Sequence, residues 1–193
     1  MKRIHAMMLL AFTFALLTPR VVSGQTPASA PPRMLSVAPI SALFGVYNLE
    51  FEHQIGPTTT FAVGSTYWGF EDDLNSSSLS SEAHVSYISM DLKARYYPTA
   101  VMEGFSFGGL AGITSISGGA RACSSITAEC EQADDREVAF SLGVEIDYNW
   151  VLGVTKQFGV VLGLGAKRLF PVGADIDTVL GYPFGRLSIG YRF

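Results

Sequence analysis

The sequence is poor in basic residues, in cysteine and in long apolar runs. Lys and Arg number 13 against 17 Asp and Glu, and the 193 residues include two cysteines. Nucleic-acid binding needs clustered Lys and Arg, so the charge balance argues against a nucleic-acid partner. After the first 24 residues no apolar run approaches the ~20 residues of a spanning helix. Any membrane insertion would therefore have to use strands.

The amino-terminal residues have the pattern of a secretory signal peptide. Lys2 and Arg3 precede an apolar run over residues 4–17, and small residues at 22–24 precede Gln25. This run is too short for a spanning helix, although an uncleaved anchor is the alternative. A second, weaker cleavage pattern lies at residues 28–30. We predict a signal peptide over residues 1–24, a Pro- and Ala-rich leader over 25–33, and one domain over 34–193.

Residues 138–150, V-A-F-S-L-G-V-E-I-D-Y-N-W, carry the strongest structural signal. Bulky apolar residues alternate with Ala, Ser, Gly and carboxylates, and side chains alternate across a strand. On a soluble sheet the polar face would be expected to carry long solvated side chains such as Lys. The pattern instead predicts a strand whose apolar face meets lipid and whose small, polar face meets a crowded barrel lumen.

The same alternation predicts eight strands, over residues 35–43, 46–55, 58–70, 83–97, 103–117, 138–150, 158–170 and 184–193. Short turns alternate with longer loops at 71–82, 118–136 and 171–183, as in outer-membrane barrels. The first strand is the least regular, because Pro39 lies inside it. Seven strands would leave an unpaired edge, which lipid does not tolerate. We predict an all-β fold: an eight-stranded antiparallel up-and-down transmembrane β-barrel.

Aromatic residues are predicted to form two belts at the membrane interfaces. The turn-end belt would contain Tyr96, Tyr97, Phe105, Tyr148, Trp150, Phe158, Tyr191 and Phe193. The loop-end belt would contain Tyr67, Trp68, Phe70, Phe170, Tyr182 and Phe184.

Charged residues recur on the predicted inner faces of the strands. They are Glu50, Glu52, Asp91, Lys93, Arg95, Glu145, Asp147, Lys167, Arg186 and Arg192. An eight-stranded barrel has a lumen just wide enough for its own side chains, and charges buried there must be paired. We predict an ion network that plugs the lumen, with a narrow ion path as the alternative. The strand count excludes a large porin.

Cys123 and Cys130 lie in a polar stretch that contains Gly and Ser. An exported chain enters an oxidising compartment, so we predict a disulfide between them. Metal binding is the alternative, but two thiols without a nearby His do not complete a tetrahedral site. The sequence suggests no metal or cofactor site.

The last residues resemble the C-terminal signal that hands bacterial outer-membrane barrels to their assembly machinery. Arg186, Tyr191 and Phe193 match that signal, and Ser188 stands where Gly is usual. The whole layout resembles small outer-membrane barrels of the OmpA/OmpX type. The segment G-V-T-K-Q-F-G-V-V-L-G-L-G-A, within residues 144–170, resembles an uncharacterised family of such barrels more closely.

This resemblance implies residence in the bacterial outer membrane, contact with its lipids and lipopolysaccharide, and dependence on the barrel assembly machinery. It implies no particular activity, and we expect a monomer with a structural or surface-interaction role.

Two other functions are alternatives to this interpretation. Glu82, His84 and Ser86 share one face of the fourth strand, and His84-Val85-Ser86 is similar to the His-x-Ser arrangement of lipid A deacylase barrels. Those enzymes carry the pair late in the chain, so we expect no enzyme. A secreted, soluble lipocalin-like barrel has an apolar interior and a polar exterior. The terminal aromatic strand, the two aromatic belts and the small or glycine inner positions favour the opposite arrangement, with lipid outside.

Overall fold

The computed structural model describes residues 32–193 except 76–78, 125–129 and 173–179, with side chains described outside 71–82, 120–132, 134 and 173–180. Eight strands and one helical turn follow in chain order. They are β1 (Arg33–Val37), α1 (Pro39–Ala42), β2 (Val46–Gln54), β3 (Thr59–Asn75), β4 (Leu79–Tyr96), β5 (Gly104–Ser124), β6 (Cys130–Leu152), β7 (Phe158–Pro171) and β8 (Leu180–Arg192). No helix among the described residues is long and apolar enough to cross a membrane.

The strands form one closed barrel in which each strand pairs antiparallel with the next along the chain. β1 closes the barrel against β8, from the Met34–Arg192 pair to the Val37–Ile189 pair. The predicted eight-stranded antiparallel up-and-down barrel is therefore confirmed. We call the end of the barrel that carries both Arg33 and Phe193 the lower end, and the opposite end the upper end.

Alternation along each strand separates an apolar outer face from a polar interior. On β6, Leu142, Val144 and Ile146 are 54%, 65% and 52% exposed, whereas Glu145 and Asp147 are each 2% exposed. A soluble barrel would bury the first set and expose the second. The lipocalin-like arrangement is therefore not the one this chain adopts.

The first strand is shorter than predicted. Residues 35–43 were expected to form one strand, but β1 ends at Val37 and Pro39 begins α1. Proline has no N–H for a β-ladder, and its fixed φ suits the first turn of a helix. α1 packs against both β2 and β8, where a longer β1 would otherwise run.

Two of the predicted long loops are mostly strand. β3 and β4 pair as far as Asn75 and Ser80, and β5 and β6 pair as far as Cys123 and Cys130. Polar, Ser- and Gly-rich composition suggested loops at these positions. A sheet that stands in water on both sides carries polar residues on both faces, so composition alone cannot separate it from a loop. Together, β3 to β6 form a four-stranded wall taller than the rest of the barrel.

The lower end of the lumen is closed by apolar side chains. Met34, Tyr97, Met102 and Val161 are each no more than 2% exposed and pack together, with Val101 against them. This apolar plug forms a floor beneath the charged interior.

Candidate functional site

Most of the interior charges come from four strands, each of which turns its charged side chains towards the lumen. Glu50 and Glu52 lie on β2, Lys93 and Arg95 on β4, Glu145 and Asp147 on β6, and Arg186 on β8. On β2, β4 and β6 the two charged residues are two positions apart, so both point to the same side of their strand. These seven residues form a group that we call the central cluster.

Arg95 lies at the middle of the central cluster. Its Nη1 atom is 2.8 Å from Glu50 Oε1 and 2.7 Å from Glu52 Oε2. Its Nε atom is 2.6 Å from Glu145 Oε1 and 3.1 Å from Asp147 Oδ2. One guanidinium thus contacts four carboxylates from two opposite strands, which suits its planar fork of five donors.

Lys93 and Arg186 complete the central cluster. Lys93 Nζ is 2.7 Å from Glu50 and 3.1 Å from Glu145. Arg186 lies 2.6 Å from Glu50 and 3.0 Å from Asp147, yet neither contact has hydrogen-bond alignment. Four carboxylates therefore face three cations, and the Asp147 oxygens accept no hydrogen bond from the described residues. Asp147 is the least firmly held acid of the cluster.

Two uncharged residues that the sequence analysis did not predict for the interior donate hydrogen bonds to the central cluster. The Tyr97 hydroxyl donates to Glu52 Oε1 at 2.7 Å, and the Thr60 hydroxyl donates to the same atom at 2.6 Å. Tyr97 was expected in the outer aromatic belt, which is wrong, because it is fully buried. Its position two residues after Arg95 continues the inward period of β4, and that signal could have identified it.

A second ion pair, the upper pair, lies between the central cluster and the upper end. Lys167 Nζ is 2.6 Å from Asp91 Oδ1 and donates to Ser89 Oγ at 2.7 Å. Ser141 also donates to Asp91, at 3.4 Å. The pair is electrically neutral and uses one acid and one base.

Glycines on neighbouring strands give these carboxylates room. A methyl group at Gly163 would collide with Asp147 Oδ1, and one at Gly112 would collide with Asp91 Oδ1. Each carboxylate already contacts a cation, Asp147 contacting Arg186 and Asp91 contacting Lys167, so moving aside would lengthen that contact. The glycine content predicted for the inner faces therefore has a specific use at these two positions.

Arg192 was predicted to join the network, but the structure does not bring it there. It is half-buried as the last residue of β8, at the lower end. Among the ion pairs between described residues, none includes Arg192. Arg192 lies on the same, inward face of β8 as Arg186, as predicted, but it is closer to the lower end than the carboxylates are.

Above the upper pair, two phenols meet across the lumen. The hydroxyls of Tyr87 and Tyr182 are 2.8 Å apart. Tyr182 was expected in the outer belt at the loop end, which is wrong, because its period places it inward with Arg186. Paired ions, hydroxyls and aromatic rings of the described residues thus fill the interior from the floor to the level of Tyr87 and Tyr182, which leaves no wide channel there.

The His-x-Ser motif lies on the outer face of β4. His84 is exposed, and the Ser86 hydroxyl lies 2.7 Å from the hydroxyl of Ser117 on β5. The side chain of Glu82 lies outside the described residues. The described partner of Ser86 is therefore another serine rather than the histidine that a nucleophile requires.

The two cysteines are placed by backbone alone. Cys123 on β5 pairs directly with Cys130 on β6. Opposite residues of an antiparallel pair have Cα atoms about 4.5–5.5 Å apart, within the range a disulfide spans. Their side chains lie outside the described residues, so the predicted disulfide stays a prediction.

The terminal strand separates its residues as the alternation predicts. Ser188 is fully buried in the lumen. Tyr191 and Phe193 are exposed on the outer face with ring centroids 6.3 Å apart, and Phe158 meets the Tyr191 ring edge-on at 5.5 Å.

Several solved structures are similar to this chain. Ail, the attachment invasion locus protein of Yersinia pestis, in complex with the heparin analogue sucrose octasulfate, is 16% identical, with a TM-score of 0.48 over 85% of this chain and 99% of that one. A major outer membrane protein of Thermus thermophilus is 12% identical, with a TM-score of 0.48 over 85% and 100%. The N-terminal β-barrel domain of Pseudomonas aeruginosa OprF is 11% identical, with a TM-score of 0.44 over 84% and 96%.

At these identities and TM-scores the likeness carries no functional argument, and the barrel assignment rests on the strand pairing itself. No protein-family model matches the chain, and a comparison with curated proteins finds no significant match.

Proposed function

We propose that the protein is an integral, monomeric barrel of the bacterial outer membrane with a structural or surface-interaction role. The observation that carries this proposal is the reversed polarity of the barrel. Its outer face is apolar and exposed, while nearly every charged residue of the spanning strands is buried. Only a non-aqueous solvent favours that arrangement, and a filled eight-stranded lumen argues against a large pore.

The spacing of outward aromatic residues supports the same proposal. Phe105, Tyr148 and Trp150 pack together at the lower end, with successive centroids 4.7 Å apart. Phe140 and Phe170 pair on the outer face towards the upper end. Phe158 and Phe170 are twelve residues apart on β7, or about 30 Å along the barrel axis for a tilted strand. This separation suits an apolar band of about 25 Å flanked by two girdles.

The membrane assignment is tested by fractionation. The protein should leave the membrane only with detergent, and its gel migration should change on heating, because folded barrels resist unfolding in the sample buffer. Release into the aqueous fraction would overturn the proposal.

A pair of substitutions tests which solvent meets the outer face. Val144 lies six residues above Trp150, or about 15 Å, inside the proposed band. Val144→Arg should lower the unfolding free energy in lipid vesicles by about 2–4 kcal/mol. Val172 is exposed beyond the end of β7, about 35 Å above Phe158, so Val172→Arg is the matched control. Equal effects would contradict a lipid-facing Val144.

We further propose that the outermost segments serve export and assembly. Residues 1–24 would be a signal peptide and 25–33 a leader to the barrel at 34–193. The exposed rings of Tyr191 and Phe193 would engage the barrel assembly machinery, together with Arg186 and Ser188. A mature protein that retained residue 1 by intact mass would refute the first proposal. Wild-type membrane levels of the Phe193→Ala variant would refute the second.

The tall wall of β3 to β6 supports a role at the cell surface. We place the lower end of the barrel, which carries Phe193, in the periplasm. The upper part of the wall then stands outside the membrane, and a Cys123–Cys130 disulfide would crosslink the last described pair of the β5–β6 hairpin. Replacing residues 118–136 by a short turn should change cell–cell aggregation or hydrophobic-dye uptake while the barrel still folds. Replacing 173–179 is the control. A wild-type phenotype for the first variant would argue against this role, and an unchanged mass on thiol reduction would exclude the disulfide.

We propose no catalytic role. Ser86 contacts Ser117 rather than His84, and the Ser86→Ala variant should leave the acylation of lipid A in the cells unchanged. A shift in that acylation would revive the hydrolase alternative.

A further inference from the structure

A groove of about 600 Å³ runs over the outer surface of β6, β7 and β8. Leu142, Val144, Ala166 and Pro183 form its apolar walls, and Arg168 and Gly181 lie at its upper part. Small residues at 166 and 181 lie beside larger ones, so the barrel surface dips between the strands. The groove is open along the face that we propose to contact lipid.

Arg168 is an exposed cation on this otherwise apolar face. Its guanidinium carbon lies 5.4 Å from the centre of the Phe170 ring, so the ring supports the cation from above. None of the ion pairs between described residues involves Arg168. A lipid-facing arginine costs about 2–4 kcal/mol at the bilayer midplane, falling to nearly nothing at the interface. Its position is acceptable only if it lies at headgroup depth.

The depth of Arg168 can be estimated from the strand. It lies ten residues above Phe158 of the lower aromatic girdle, or about 25 Å along the axis of a barrel with strands tilted by about 40°. That distance equals the height of the apolar band. The guanidinium therefore reaches the headgroup layer of the outer leaflet while the groove below it remains among acyl chains.

The neighbouring edge of β8 adds backbone hydrogen-bonding groups at the same level. Arg33 and Phe193 exchange backbone hydrogen bonds, so odd-numbered residues of β8 point their N–H and C=O groups towards β1. β1 pairs with β8 only up to Ile189. α1 also packs against β8, but its described backbone hydrogen bonds do not reach that strand. Gly181 thus turns its N–H and C=O groups to an edge with no described strand beside it, and Pro183, which has no N–H, turns its C=O group there. In lipid such groups need a polar partner.

We infer that this groove binds one phosphorylated glycolipid of the outer leaflet. Arg168 would hold a phosphate, the edge at Gly181 and Pro183 would bond to sugar hydroxyls, and an acyl chain would lie between Leu142 and Ala166. Arginine pairs with phosphate through parallel charged hydrogen bonds, which gives both strength and geometry. This inference rests on the proposed membrane location and adds the lipid class and its site.

The test is lipid retention by the purified full-length barrel, measured by native mass spectrometry in detergent. The probes are bisphosphorylated lipid A, lipid A with both phosphates removed, and inorganic phosphate. Wild type should bind one bisphosphorylated molecule, and Arg168→Gln should weaken that binding by about tenfold or more. Both proteins should bind the dephosphorylated lipid equally weakly.

Arg136→Gln is the matched control. Arg136 also points outward, but it lies about 35 Å above Trp150, beyond headgroup depth, and donates to Ser115 Oγ at 3.1 Å. Binding unchanged in Arg168→Gln, or lowered equally in Arg136→Gln, overturns the inference. Full displacement of the lipid by inorganic phosphate would indicate a free-anion site and also overturns it.

Heat-modifiable migration of each variant shows that it has folded. Failure of membrane residence would appear in fractionation, whereas failure of this inference would leave fractionation intact and change only lipid retention.

Discussion

The central cluster and the upper pair both consist of buried ion pairs, but they differ in how many partners each cation contacts. Arg95 contacts carboxylates on β2 and β6 and so ties opposite walls of the barrel together. Lys167 contacts one carboxylate, Asp91, and its remaining described partner is a serine hydroxyl. The comparison teaches that connectivity, rather than the number of buried charges, decides how much each ion matters. It also separates a cluster with one excess acid from a balanced pair.

Loss of Arg95 should have the largest effect. Arg95→Met leaves several buried carboxylates facing each other with only Lys93 and Arg186 to compensate them. Breaking a buried pair by removing one partner costs about 3–5 kcal/mol, so this loss should reach or exceed about 5 kcal/mol, or prevent folding. Urea unfolding in detergent, followed by tryptophan fluorescence, measures it. Arg136→Met, exposed on the outer face, should stay within about 0.5 kcal/mol. Similar losses for both variants would refute the central role of Arg95.

Loss of Lys167 should have an intermediate effect. Lys167→Met leaves one acid, Asp91, which keeps donors from Ser89 and Ser141. We expect a loss of about 3 kcal/mol in the same unfolding measurement. The double variant with Asp91→Asn should recover most of this loss, because the buried charge is then gone. A double variant no more stable than the single one would show that the pair acts through packing instead.

Neutralising Asp147 should have the smallest effect. The central cluster holds one more acid than base, and within the described part of the chain the Asp147 oxygens accept no hydrogen bond. Asp147→Asn should therefore change the unfolding free energy by less than about 1 kcal/mol. Glu145→Gln is the matched comparison. It weakens bonds from Lys93 at 3.1 Å and Arg95 at 2.6 Å, and should cost about 2 kcal/mol. A larger loss for Asp147→Asn than for Glu145→Gln would contradict the charge count.

Much of the fold could be predicted because a strand's period is two, and one residue of known orientation fixes the rest. Glu145 and Asp147 were placed inward by that rule, and so were Lys93 and Arg95. The rule gives a side but no depth, so it could not show that Arg192 lies below the cluster. Depth depends on the stagger between strands, which comes from pairing across the sheet rather than from local period. Pairing also decides that Arg95, rather than Lys93, meets both Glu52 and Asp147.

Other differences have local causes. Tyr97 was assigned to the outer belt because it is aromatic and lies near a turn, although its period already pointed inward. The upper ends of β3 to β6 fall within predicted loops because their alternation between apolar and polar residues fades there. Apolar and polar residues alternate along a strand where its two faces meet different surroundings. A sheet with water on both sides shows no such alternation. Pro39 lay inside the expected first strand and instead ended it.

The join between β1 and β8 spans four residue pairs, whereas β3 and β4 share seventeen. Pairing β1 with β8 also joins the strands that are farthest apart in sequence, so its loop-closure entropy cost is the highest of any strand pairing in the barrel. Because the β1–β8 pairing is short and entropically costly to close, we expect it to form last when the barrel folds. We expect it to be lost first when the barrel unfolds. Amide protons of Leu35 and Val37 would then exchange with solvent earlier than those of Val63 and Leu92. Opening of the barrel would thus begin at β1, the shortest of its eight strands.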